Sequence, residues 1–177
     1  MFRLLACLCL AGIVASPPQD DLKPGLLGEY YEIGEEIDDF PSLKGMKPAL
    51  RRIDRQIDFA VGNGRFGGTP LIDQFFVRWT GVLRVPKQGK YMFYLESDDG
   101  SRLLIGGKLV VDNNGLHGME ERSGDIDLKA GDHDLRVEFY DNFAGAGCRL
   151  RWDSGEINRE IVPAEALFHR RDKDLDK

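Results

Sequence analysis

Apolar and polar residues alternate with a period of two along most of this chain, the pattern of strands that bury one face and wet the other. The clearest run is Phe75 to Val85, with Phe75, Val77, Trp79, Leu83 and Val85 on one side and Arg78, Thr80 and Arg84 on the other. Tyr91 to Leu95, Arg102 to Ile105, Lys108 to Val111, Gly124 to Leu128 and Cys148 to Trp152 read as further strands, and Leu135, Val137 and Phe139 oppose Asp134, Arg136, Glu138 and Tyr140. Weaker strands are expected at Gly25 to Ile33 and Gln56 to Val61, with a last strand or turn over Ile161 to Phe168. Turn residues punctuate these runs at Pro86 to Gly89, Gly106-Gly107 and Ala130 to Asp132. By contrast, Glu35 to Met46 is irregular, and Pro48 to Gln56 reads as one helical turn or a loop. Helical periodicity is almost absent. Many short strands at regular spacing predict an all-β fold, an antiparallel β-sandwich or barrel.

The two ends depart from this pattern. Residues 1–15 carry one positive charge at Arg3, then an apolar run from Leu4 that closes on Ala15 ahead of Ser16-Pro17-Pro18. That is the outline of a secretory signal peptide, too short for a membrane span, and it predicts export to the extracellular space or a periplasm. Leu4 to Cys7 also outlines a lipoprotein box, but almost no apolar run precedes it, so anchoring at Cys7 is not expected. Residues 16–24 read as a linker, 25–168 as a single domain and 169–177 as a charged tail. Cys7 and Cys9 lie in the segment to be removed, so Cys148 is left without a disulfide partner. It falls in phase with Leu150 and Trp152 and reads as a small buried apolar side chain.

With 177 residues, 42% of them hydrophobic, the chain can build one sizeable core. A net charge of −6, without a basic cluster in the body, argues against binding nucleic acid. Gly62-Asn63-Gly64-Arg65-Phe66-Gly67 matches the dinucleotide pattern in letters. That motif needs a helix opening at the loop and an acid about 20 residues on. Thr69-Pro70 interrupts the helix, and no Asp or Glu lies between Asp73 and Glu96, so the match is set aside. His117, His133 and His169 are scattered without zinc spacing, and neither H-E-x-x-H nor G-x-S-x-G occurs.

Chemistry is expected instead around Glu96 to Leu103, where Asp98-Asp99-Gly100 falls between two alternating runs. Asp-Gly is ordinary turn chemistry. Two adjacent carboxylates nonetheless repel, and either water around both or a bound cation must offset that cost.

The order of several motifs resembles a known family. Gly25 to Tyr31 (GLLGEYY), Phe76 to Leu83 (FVRWTGVL), Gly89 to Phe93 (GKYMF), Ser97 to Leu103 (SDDGSRL) and Gly107 to Asn113 (GKLVVDN) are similar to the protective-antigen, or PA-fourteen, domain. Leu128 to His133, Val137 to Tyr140 and Leu150 to Trp152 continue the likeness, which runs from about Gly25 to Trp152. The resemblance implies a lectin-like β-sandwich or barrel, carbohydrate binding and no catalysis. It implies one Ca²⁺ held by Asp98 and Asp99 across a cis peptide, by Asn142, and by the backbone carbonyls of Ala144 and Ala146. Asp141, Phe143 and His117 are further candidates to line a ligand. Two carboxylates, an amide oxygen and two carbonyls leave positions of a six- to eight-coordinate Ca²⁺ open for vicinal sugar hydroxyls.

The reading is an exported, non-catalytic module that binds a cell-wall or extracellular glycan through Ca²⁺, as a monomer or as an accessory to a larger protein. It is not expected to be an integral membrane protein. Two alternatives stand beside it: a structural or protein-interaction sandwich that binds no sugar, and a small glycoside hydrolase, whose carboxylate spacing cannot be read from sequence.

Overall fold

The computed structural model describes residues 22–175; the signal peptide and most of the linker expected before them lie outside the described residues. The thirteen strands are β1 (Leu22–Pro24), β2 (Leu26–Glu32), β3 (Leu50–Asp54), β4 (Asp58–Gly62), β5 (Phe75–Val85), β6 (Gly89–Asp98), β7 (Ser101–Ile105), β8 (Lys108–Asn113), β9 (Glu120–Leu128), β10 (Gly131–Asp141), β11 (Ala146–Ser154), β12 (Glu160–Ile161) and β13 (Leu167–Arg170). They form two antiparallel sheets. The larger runs β1-β13-β5-β10-β7-β8, with β2 beside β5 and β3 beside β2; the smaller runs β12-β11-β6-β9, with β4 beside β11. The expected all-β sandwich is what the chain forms.

The alternation seen in sequence fills the space between the sheets. Val77, Trp79, Leu83, Val137 and Phe139 from the large sheet meet Phe93, Leu95, Cys148 and Leu150 from the small one, all with no exposed surface. Trp79 and Phe139 stack with ring centroids 6.4 Å apart and planes 17° apart. Buried aromatic surface of this kind dominates core energetics. Cys148 is buried among these residues, and burial pushes its thiol well above the ordinary range.

A second, smaller cluster covers the outer face of the large sheet. Tyr31, Phe76 and Tyr140 point away from the main core and are capped by Ile37, with Ile33, Phe40 and Leu43 packed around them. The irregular segment 33–49 is thus a strap laid over that face. Glu138, on the same side of β10, is 1% exposed and lies between Arg78 (2.8 Å) and Arg102 (2.6 Å).

Three expectations differ from the structure. Residues 50–54, read as a helical turn or loop, are strand β3, paired with β2. Leu22–Pro24, read as linker, is strand β1. It pairs with His169 and Arg170, the start of the expected tail, and His169 is buried. Finally, Asp98-Asp99-Gly100 does not turn a hairpin within one sheet: β6 belongs to the small sheet and β7 to the large one, so these residues carry the chain across the edge of the sandwich.

Candidate metal and ligand site

The crossing from β6 to β7 meets the end of β10 at one edge of the sandwich. Both strands arrive with alternation intact, so inward positions are set by phase: Leu135, Val137 and Phe139 on β10 lead to Asp141, which has no exposed surface. On β6, Tyr91, Phe93, Leu95 and Ser97 lead to Asp99, 7% exposed, while Asp98 is half-buried. One carboxylate oxygen from each of Asp98, Asp99 and Asp141 lies within 4.8 Å of the others. The Asp98–Asp99 peptide is cis.

Asp99 is held firmly. Its Oδ1 accepts a hydrogen bond from the His117 backbone N–H and its Oδ2 one from the Asn142 backbone N–H, both at 2.9 Å. A buried polar layer lies nearby: the Ser97 and Ser101 hydroxyls are 2.6 Å apart, and Asn113 Nδ2 donates to Ser97 Oγ and to the Glu120 carbonyl. Gly100 is required at the crossing because a Cβ there would lie 2.4 Å from the Tyr140 ring.

Asp141 is the unusual member. Both of its carboxylate oxygens are buried and neither has a hydrogen-bond partner. Burial, followed by repulsion from Asp99, Asp73 and Asp98, pushes its pKa up to about 8. Asp98 is raised too, by burial and then by Asp99, with His117 acting in the opposite sense. Among the described residues no Lys or Arg is paired with any of the three acids. A wholly buried carboxylate without a donor is costly. Three hard oxygen donors converging on one point are the donor set a divalent cation such as Ca²⁺ takes, so the residues fit the metal that the family resemblance implies.

Asp98 and Asp99, two of the ligands the resemblance implies, both contribute to this cluster. Asn142 lies next to this cluster in the chain: its backbone N–H donates to Asp99 Oδ2, and its side-chain Oδ1 accepts from the Ile37 backbone N–H at 3.1 Å, which ties down the strap. Asp141, expected to line or add to a ligand site, brings a third carboxylate to the cluster. Its phase with Val137 and Phe139 was the signal available in sequence. Ala144 lies in the following loop with a φ of 73°, and Ala146 opens β11 and is buried. Phe143 is 49% exposed on that loop. His117 contributes its backbone to Asp99, while its ring nitrogens lie 2.9 Å from the Gly118 carbonyl and 3.2 Å from the Asn113 carbonyl.

A two-sheet antiparallel sandwich with a cluster of three acids at one edge is the class that fold and site define. The sequence model of the PA14 domain family matches residues 22–166, and the chain belongs to that family. It is 34% identical over 145 residues to the anti-sigma-I factor RsgI3 of Acetivibrio thermocellus, an alignment covering 81% of this chain and 21% of that protein. Among solved structures, an anti-sigma factor domain-containing protein superposes with a TM-score of 0.74 at 33% identity, over 85% of this chain and 50% of the other. The PA14 sugar-binding domain from an RTX adhesin superposes with a TM-score of 0.71 at 23% identity, over 82% of this chain and 98% of the other, a likeness of fold. The chain therefore spans about a fifth of the curated relative and half of the first solved one.

Proposed function

We propose that this domain is a non-catalytic carbohydrate-binding module in which Asp98, Asp99 and Asp141 hold a Ca²⁺ whose open positions are filled by sugar hydroxyls. The observation that carries the reading is Asp141, a carboxylate with no exposed surface and no hydrogen-bond donor, 4.8 Å or less from two further carboxylates. A bound cation supplies the charge compensation that the protein itself does not, and the shared hydroxyls of a vicinal diol are hard oxygen ligands of the same kind. Support also comes from the fold likeness to the PA14 sugar-binding domain from an RTX adhesin. On this reading Phe143 offers an exposed ring to the apolar face of a sugar.

The crowding of the acids favours this reading over a hydrolase. A glycosidase pair stands roughly 5–9.5 Å apart to leave room for the scissile bond or a water, whereas here three carboxylates converge and one is closed off from solvent. The likeness to part of an anti-sigma-I factor supports the accessory-module reading, in which the domain reports a ligand to a larger protein. Export of the chain belongs to the same proposal.

A glycan array probed in calcium and again in chelator tests the reading. Binding of a saccharide class that is lost in chelator and in Asp98→Ala is the expected result; binding that persists in both, or none under either condition, rules it out.

A further inference from the structure

The glycine-rich run set aside as a nucleotide loop begins beside the carboxylates. Gly62, the last residue of β4, pairs with Ala146. A Cβ built on Gly145 would lie 3.2 Å from Asp98 Oδ2, 3.3 Å from Asn63 Oδ1 and 3.2 Å from a Val61 methyl. Asn63 and Asp98 thus flank the same point, separated by the backbone of a residue without a side chain. Asn63 is exposed, and among the described residues its amide is engaged by no hydrogen bond, which leaves both a donor and an acceptor for a ligand. Val61, two residues before Asn63, and Phe143, two residues before Gly145, are each 49% exposed and add apolar surface on the two loops.

Charge narrows what such a site accepts. Asp98, Asp99 and Asp141 bring three carboxylates, and a divalent ion balances two of them. Asp73 acts on Asp141 with the same sign, and among the described residues His117 is the basic group that acts on Asp98. A surplus of negative charge therefore remains where a ligand would approach, and it opposes any second anion.

We propose that Asn63 is a specificity-determining residue of this site: its amide hydrogen-bonds a hydroxyl of an uncharged saccharide, and the surplus negative charge turns away saccharides bearing carboxylate or sulfate groups. The proposal deepens, and rests on, calcium-dependent sugar binding at Asp98, Asp99 and Asp141.

The test compares wild-type protein with Asn63→Ala, first by calorimetric titration with calcium alone and then, in saturating calcium, on immobilised neutral saccharides and their uronic-acid and sulfated counterparts. Equal calcium affinity and equal thermal midpoints are expected, because Asn63 is exposed and is not among the metal's carboxylates. Wild type should bind at least one neutral saccharide about tenfold more tightly than its anionic counterpart, and Asn63→Ala should bind that neutral saccharide about 5- to 10-fold more weakly, the worth of one hydrogen bond. Unchanged neutral binding in Asn63→Ala, or anionic counterparts held as tightly as neutral ones, overturns the proposal and leaves calcium-dependent binding standing. A wild-type protein that takes up calcium yet binds no saccharide overturns both.

Discussion

At the scale of single residues, Asp141 and Glu138 show two ways of burying a carboxylate on one strand. Glu138 is matched. Burial alone would raise its pKa, but hydrogen bonds and charge from Arg102 and Arg78 outweigh burial and hold it below the ordinary glutamate range. Since its folded pKa is depressed, its contribution to stability is present above the unfolded pKa of 4.5 and is lost as pH falls through the folded value. Glu138→Gln should therefore destabilise the domain at neutral pH by about 2–3 kcal/mol, less than the cost of breaking a pair buried on both sides, because the arginines are partly wet. Urea unfolding at pH 7 and pH 3 should show that difference shrinking in acid. Asp141 is unmatched, and its substitution should change sign with conditions. In chelator Asp141→Asn removes repulsion from Asp98 and Asp99 and should raise stability by about 1 kcal/mol; in saturating calcium the same variant should be the less stable one. Thermal midpoints measured under both conditions check the reversal, and a variant that is weaker in both would count against a cation site.

At the scale of elements, long strands were readable and short edge strands were not. Phe75–Val85 is a strand over the whole run expected for it, because Phe75, Val77, Trp79, Leu83 and Val85 share one phase of the alternation and face the main core. Residues 50–54 and 22–24 lack that signal: β3 is half-buried throughout until Asp54, and β1 is only three residues long. Their pairing depends on partners far along the chain, Leu22 on Arg170 for instance, which local pattern does not reveal. The site divides in the same way. Adjacent acids stood out, whereas the arrival of Asp141 beside them depends on strand phase, which a shift of one residue would reverse. Asn142 instead joins the strap to the site, along with the Tyr140 hydroxyl, which donates to the Asp38 carbonyl, and Asn114, which donates to Asp39. Asn142→Ala should accordingly speed hydrogen exchange at Ile37 while lowering calcium affinity much less than Asp141→Ala does. Equal losses of calcium affinity would return Asn142 to the ligand set. Gly100→Ala should cost about 1–3 kcal/mol, the penalty of forcing a methyl against the buried Tyr140 ring, as read from denaturant midpoints.

At the scale of the whole molecule, the sandwich puts three distant segments at one edge. The β6 to β7 crossing, the end of β10 and the loop after β4 are joined by sheet pairing rather than by sequence, and β1 against β13 ties the two ends of the described domain together. That rigid frame explains how residues as far apart as Asn63, Asp98 and Asp141 meet without a disulfide. On the proposed reading it also couples calcium binding to folding, because an ion bound only by the assembled edge stabilises the folded state. The most direct measurement is the thermal unfolding of the wild-type domain and Asp141→Ala across a calcium titration. Calcium at about 100 times its dissociation constant should add about 2.7 kcal/mol, a rise of about 5–10 °C for a domain of this size, and the rise should vanish in Asp141→Ala. A wild-type midpoint that does not move with calcium, or one that moves equally in both proteins, contradicts the account.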